Sequence, residues 1–195
     1  MRYTSTRNNK VEVSGIKAIA DGISPDGGLY VPKTLPGFSA ADFEFLAAAD
    51  YKARAAFIIQ AFLPELNKDE LNAIVSKAAD RFEDSAPAPV IKLDGCYVLE
   101  LWHGPTFAFK DIALTLLPDL LKLSKEKLGI KDKTLILTAT SGDTGKAAME
   151  GFKDAEGVKI AVLYPARNVS DYQKLQMQTQ EGGNVLALGI TGDFD

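Results

Sequence analysis

In the stretch Thr134-Leu135-Ile136-Leu137-Thr138-Ala139-Thr140-Ser141-Gly142-Asp143-Thr144-Gly145-Lys146, an apolar run passes through a glycine-rich turn into a segment patterned as a helix to Asp154. The same unit recurs downstream. Val158-Lys159-Ile160-Ala161-Val162-Leu163-Tyr164 reads as the next buried-type strand, residues 171–180 as a helix, and residues 185–190 as a third strand. Strand, helix, strand, helix, strand with short connections predicts a parallel sheet covered by helices on both faces. This is the α/β class in its doubly wound form. The alternation is unfinished where the sequence reaches Asp195, so a truncated sheet is expected.

The turn Ser141-Gly142-Asp143-Thr144-Gly145 lies at the carboxyl end of the first strand and opens a helix. Unpaired N–H groups converge at such a place and suit an anion. It is not a Walker loop, because Thr140 stands five positions before Gly145 where that motif has glycine, and no Gly-x-Gly-x-x-Gly is present. A second reading stands beside the anion site: a plain helix-capping turn with Asp143 or Thr144 as the cap.

Upstream, His103-Gly104-Pro105-Thr106-Phe107-Ala108-Phe109-Lys110-Asp111 is another turn running into a helix. Gly104-Pro105 breaks the preceding strand, and Thr106 is placed to cap the helix. Apolar residues at Phe109, Ile112, Ala113, Leu116, Leu117, Leu120 and Leu121 have helix spacing and imply a buried face, while Pro118 should bend or split the helix. Lys110 then sits one turn from a helix N-terminus, whose partial positive charge disfavours an ammonium. Its neighbours Ala113, Leu114 and Leu117 are apolar, which removes water from it as well. Both effects favour the neutral amine, the form that attacks an aldehyde. The competing reading is a lysine that snorkels to solvent.

Composition narrows the classes of function. The 195 residues are 46% hydrophobic and 25% charged, with a formal charge of -4 and a pI near 5.1. A nucleic-acid partner calls for a basic surplus or stripe, and none is present. No apolar run approaches a membrane span, and the opening Met1-Arg2-Tyr3-Thr4-Ser5-Thr6-Arg7 lacks a signal-peptide core, so a cytoplasmic protein without membrane contact is expected. One cysteine, Cys96, and one histidine, His103, provide neither a disulfide nor a Cys/His metal cluster, and no metal is expected. Cys96 reads as a strand residue. With no nucleophile nearby in sequence, His103 reads as packing or hydrogen-bonding within its turn.

The amino-terminal part reads as small and mainly helical. Ser14 can start a helix, Pro25-Asp26-Gly27-Gly28 makes a turn before the strand Leu29-Tyr30-Val31, and Ser39 can cap another helix. Tyr51 to Leu63 carries Phe57, Ile58, Ala61 and Phe62 on a buried face, and Asn67 with Glu70 has capping-box spacing. The polar and then proline-rich run Glu83 to Pro89 ends this part, giving a helical domain 1–85 and a sheet domain 86–195. The latter opens with a hairpin whose strands flank Asp94-Gly95.

The run His103 to Asp111 resembles the lysine motif of the pyridoxal-phosphate-dependent threonine synthases, in the tryptophan-synthase-β-like superfamily. Tyr3-Thr4-Ser5-Thr6-Arg7 and Asp21 to Pro32 resemble the amino-terminal region of the same family. Thr138 to Gly145 is similar to its loop for the substrate α-carboxylate. The resemblance implies a fold type II enzyme domain and pyridoxal 5'-phosphate held by Lys110 through a Schiff base. It further implies Ser141, Gly142, Asp143 and Thr144 as the substrate loop. Asp143 would repel a carboxylate, so its side chain is expected to cap backbone N–H groups. The implied reaction converts O-phosphohomoserine and water to L-threonine and phosphate, with Lys110 moving protons. Family members are more than twice as long, and their cofactor-phosphate cup and pyridine-nitrogen partner lie further along. A fragment inactive by itself is therefore expected. Two alternatives stand: a threonine-synthase-like phospho-lyase, and a non-catalytic α/β module that binds a ligand or a protein.

Overall fold

The computed structural model describes residues 1–83, 86–140, 142–167 and 169–192. The first elements are strands β1 (Arg2–Ser5) and β2 (Val13–Ser14), helix α1 (Gly15–Asp21) and strand β3 (Tyr30–Pro32). Helices α2 (Ala40–Ala48), α3 (Tyr51–Phe62) and α4 (Lys68–Ala79) follow. Strands β4 (Val90–Leu93) and β5 (Cys96–Leu99) precede helices α5 (Asp111–Leu114) and α6 (Leu117–Lys127). The chain then alternates through β6 (Thr134–Ala139), α7 (Asp143–Phe152), β7 (Val158–Pro165), α8 (Asp171–Gln178) and β8 (Val185–Ile190). It forms two compact units, Met1–Ala79 with Asp119–Lys131, and Asp80–Pro118 with Asp132–Asp195. Residue 85, where the sequence places the boundary, lies outside the described residues.

In the first unit β1 is the centre of a small antiparallel sheet, flanked by β2 and β3. Its helices α1 to α4 start where hydroxyl, carboxylate or amide side chains are available, Asp50 accepting from the Ala53 N–H at the start of α3. Ser14 accepts from the Lys17 N–H, Ser39 and Asp42 form a reciprocal capping box, and Asn67 and Glu70 form another. In α4, Leu71, Ile74, Val75, Ala78 and Ala79 are buried, which is one continuous helical stripe. The face expected on α3 is only half-buried, and Ile58 remains 36% exposed. Leu120 and Leu121 of α6 are buried in this unit, where Lys127 pairs with Glu70 at 2.9 Å.

The Pro25–Gly28 turn is fixed by the carboxylate of Asp26, which accepts from the buried Ser5 hydroxyl at 2.7 Å and from the Gly28 N–H at 2.9 Å. Gly28 is obligatory here, since a Cβ would lie 2.1 Å from the Ser5 Oγ.

The second unit opens with the antiparallel hairpin β4–β5, tightly turned at Asp94-Gly95 with Gly95 at φ 78°. The sole thiol, Cys96, is exposed on it. The expected long helix after Lys110 is interrupted between α5 and α6, just before Pro118. Its apolar face is broken accordingly, with Phe109 57% and Leu117 36% exposed.

Strands β6, β7 and β8 lie side by side and parallel in that order, and β8 covers the expected residues. The α/β class is as read from the sequence. Val158, Ile160, Val162 and Tyr164 of β7 are buried, and α7 packs on that strand with Ala147, Ala148, Met149 and Phe152 in the core. On the opposite face the register lines up Leu135 with Lys159, Leu137 with Ala161, and Leu163 with Leu188. There Leu135 is 64%, Leu137 65%, Leu186 50% and Leu188 43% exposed. These four leucines are left uncovered among the described residues, on the sheet of the truncated doubly wound class read from the sequence.

Asp26 is held below its ordinary value of 3.8, first by the Gly28 N–H and then by the Ser5 hydroxyl. Asp42 is held below its ordinary value by the N–H and hydroxyl of Ser39, and Glu70 below its own by hydrogen bonding from Lys127. A depressed carboxylate contributes stability that is present above its unfolded value and lost as pH falls through the folded value. Asp26→Asn is therefore expected to lower the thermal midpoint at pH 7 and to flatten its decline below about pH 4. Circular-dichroism melts across pH 2–7 test this.

Candidate active site

The lysine loop is organised by the carboxylate of Asp111, which is 1% exposed. It accepts from the Thr106 N–H at 2.8 Å and from the Thr106 hydroxyl at 2.6 Å. Thr106 is thereby tied back into the loop instead of capping the helix, which corrects the expectation from sequence. The Thr115 hydroxyl donates to the Asp111 carbonyl at 2.7 Å, holding the other end of α5. Gly104 packs directly on the carboxyl group, so that a Cβ would lie 2.4 Å from Asp111 Oδ2. Phe107 adopts φ 59°, a left-handed conformation that costs a bulky residue on the order of 1–3 kcal/mol and that the closed loop imposes. His103 accepts or donates at 2.7 Å with Glu100, and Trp102 stacks on its ring, so it acts within its turn as read from the sequence.

Lys110 occupies the N-cap position of α5, one turn earlier in its helix than expected. Its side chain is 24% exposed, and Nζ lies 3.1 Å from Asp143 Oδ2 and 4.1 Å from the centroid of the Phe109 ring. The apolar surround inferred from Ala113, Leu114 and Leu117 is replaced by one carboxylate and one aromatic face. Ala113 itself is exposed.

Asp143 is the first residue of α7 and its carboxylate turns to Lys110, contrary to the expected cap: Gly142 is the N-cap and has no side chain to close that end. The hydroxyl of Thr140, 3% exposed, accepts instead from the N–H groups of Gly142 at 3.1 Å and Gly145 at 3.2 Å. Gly142 is buried against Gln173 of α8, whose amide a Cβ would meet at 2.5 Å. Gly145 allows α7 to close on the sheet, since a Cβ would lie 2.3 Å from Thr140 Cγ2 and 2.8 Å from Val162 Cγ1. Thr144 is half-buried beside Asp143. The N–H groups of Asp143 and Thr144 belong to the first turn and have no partner within the helix, so the turn offers donors to an anion. Ser141 lies outside the described residues.

The structure thus brings Lys110 to the turn Gly142, Asp143 and Thr144, at the carboxyl edge of the parallel sheet. Asp111, Thr140 and Gln173 complete the setting and were not identified from sequence. Asp111 could have been suspected as a buried carboxylate near a glycine, whereas Thr140 and Gln173 carry no local signal. One turn further along α7, the amine of Lys146 bonds to Gln180 Oε1. Gln180 donates to Glu150 at 3.0 Å, and Arg81 pairs with Glu150 at 3.0 Å. Burial pushes the Lys146 ammonium below its ordinary value, and Glu150 opposes this in part.

Two substitutions probe the scaffold. Gly104→Ala should destabilise the chain by about 1–3 kcal/mol through overpacking against Asp111. Thr140→Val should cost about 1–3 kcal/mol by leaving the buried Gly142 N–H without its acceptor and the Gly145 N–H with the Gly142 carbonyl alone, and Thr140→Ser should restore most of it, as read by denaturant unfolding.

Residues 2–79 match the family profile described as "Threonine synthase N terminus". The threonine synthase of Pseudomonas aeruginosa is 38% identical over 197 residues, covering 100% of this chain and 42% of that protein. Threonine synthase-like 2 of Rattus norvegicus is 36% identical over 198 residues, covering 100% of this chain and 40% of that protein. Among solved structures, the pyridoxal-phosphate-bound threonine synthase of Brucella melitensis superposes with a TM-score of 0.88 at 36% identity, covering 100% of this chain and 42% of that one. The threonine synthase of yeast gives 0.88 at 31% identity, with 99% and 41% covered. The chain spans about two-fifths of the length of the curated relatives it matches. Alike in sequence along its whole length and in the path of its backbone, the chain belongs to the threonine synthase family and corresponds to its amino-terminal portion.

Proposed function

We propose that this chain is the amino-terminal part of a cytoplasmic enzyme that converts O-phosphohomoserine and water into L-threonine and phosphate, with pyridoxal 5'-phosphate attached at Lys110. The observation that carries the reading is the 3.1 Å approach of Lys110 Nζ to Asp143, which sets a primary amine at the mouth of the Gly142–Thr144 turn. The residues fit the cofactor: an amine able to condense with an aldehyde faces a helix N-terminus suited to an anionic substrate group. No helix among the described residues is long and apolar enough to cross a membrane.

Pyridoxal phosphate, when bound, supplies the electron sink for the substrate carbons. The chain supplies position and proton transfer. Ser141, Gly142 and Thr144 bind the substrate carboxylate through N–H and hydroxyl groups, and Asp143 keeps its own carboxylate turned to Lys110. Freed by the substrate amine, Lys110 Nζ takes and returns protons beside the substrate carbons, so that phosphate leaves and water adds.

A second reading is favoured by the 36% identity to Threonine synthase-like 2: a phospho-lyase that releases phosphate without forming threonine. Lys110 and the turn serve both. Incubation of the whole protein with O-phosphohomoserine separates them, because threonine and phosphate in equal amounts support the first and phosphate alone the second. Lys110→Ala should abolish both turnover and the absorbance of the bound cofactor, and a normally active variant would refute the assignment. Residues 1–195 by themselves should take up pyridoxal phosphate weakly, since this chain amounts to 42% of its relative from Pseudomonas aeruginosa. Tight stoichiometric labelling at Lys110 after borohydride treatment would overturn that expectation.

A further inference from the structure

We propose that Asp143 is the counter-ion that parks Lys110 before the cofactor arrives, so that capture of an aldehyde waits on the opening of this one ion pair. The inference rests on Lys110 being the attachment residue. Asp143 opens α7, and among the described residues its carboxylate bonds to Lys110 and to no N–H of the helix end. It meets Lys110 Nζ at 3.1 Å, with the Phe109 ring against the same nitrogen at 4.1 Å.

The other ionisable groups of the loop and of α7 are engaged elsewhere. Asp111 is bound to Thr106, Lys146 to Gln180, Glu150 to Arg81 and Gln180, and His103 to Glu100. The pair is also built to open: the Lys110 side chain is 24% exposed and that of Asp143 49%, so water and salt reach it.

An amine held as the ammonium of an ion pair is not a nucleophile. On opening, Lys110 releases a proton to solvent water, its nitrogen adds to the carbonyl carbon, and the carbonyl oxygen leaves as water carrying the two remaining amine hydrogens. One C–N double bond replaces one C–O double bond, and no oxidant or reductant is consumed. Asp143 is thus a positioning residue that acts through Lys110.

The test uses the cofactor-free protein in full length and pyridoxal, whose aldehyde lacks the phosphate and so reports on the amine itself. Capture is stopped with borohydride at a fixed neutral pH, and modification of Lys110 is followed by peptide mass spectrometry. Loss of an exposed pair should raise the capture rate about 1.5- to 5-fold in Asp143→Asn, and Asp143→Glu should return it towards the original rate. Sodium chloride at about 1 M should accelerate capture in the unmodified protein and leave Asp143→Asn unchanged. A merely structural role would slow capture in the asparagine variant. Equal or slower capture there, with an unaltered circular-dichroism spectrum, overturns the proposal. If that variant does not fold, the salt response of the unmodified protein decides, and its absence also overturns the proposal. Failure of Lys110 to react above other lysines in every form would instead overturn the attachment reading on which the proposal rests.

Discussion

The second unit depends on one buried carboxylate. Asp111 is taken out of water only because two donors from Thr106 and the bare Cα of Gly104 surround it, and a buried carboxylate short of such partners would be costly. Satisfying Asp111 closes the loop from residue 104 to residue 111, forces Phe107 into its left-handed conformation, and fixes where Lys110 leaves the backbone. The position of the Lys110 amine is therefore a by-product of satisfying its neighbour. Local strain at Phe107 is sustained by hydrogen bonds that lie a few residues away.

The other half of the site is held in a comparable way. The Thr140 hydroxyl gathers the N–H groups of Gly142 and Gly145, and the glycines at 142 and 145 let α7 approach both α8 and the sheet. Lys110 and Asp143 then meet across 33 positions of sequence. Neither side chain would find the other if its own segment were free to rotate, so the ion pair reports how well both segments are fixed rather than fixing them itself.

What could be read from the sequence was local. The Asp94-Gly95 hairpin, the caps at Ser14, Ser39 and Asn67, the break before Pro118 and the extent of β8 each follow from chemistry within a few residues, and each is found. What was misread involved distance. Thr106 has the right residue type for a cap, but Asp111 competes for it more strongly. Asp143 has the right type as well, but a lysine from another segment claims it. The parallel sheet itself was legible, but Leu135 and Leu137 belong to an apolar run that reads the same whether buried or exposed, and only their surroundings show that they are exposed. Family likeness supplied Lys110 and the turn, whereas Thr140 and Gln173 became visible only through their neighbours.

Cys96 carries a practical consequence. It is the one sulfhydryl in 195 residues and it is exposed on the hairpin that delivers the chain to the lysine loop. A maleimide dye would attach at a single known place and leave the amines for other reagents. Without a reducing agent in the buffer, the same atom could join two molecules only tail to tail through one covalent bond, never into a longer network.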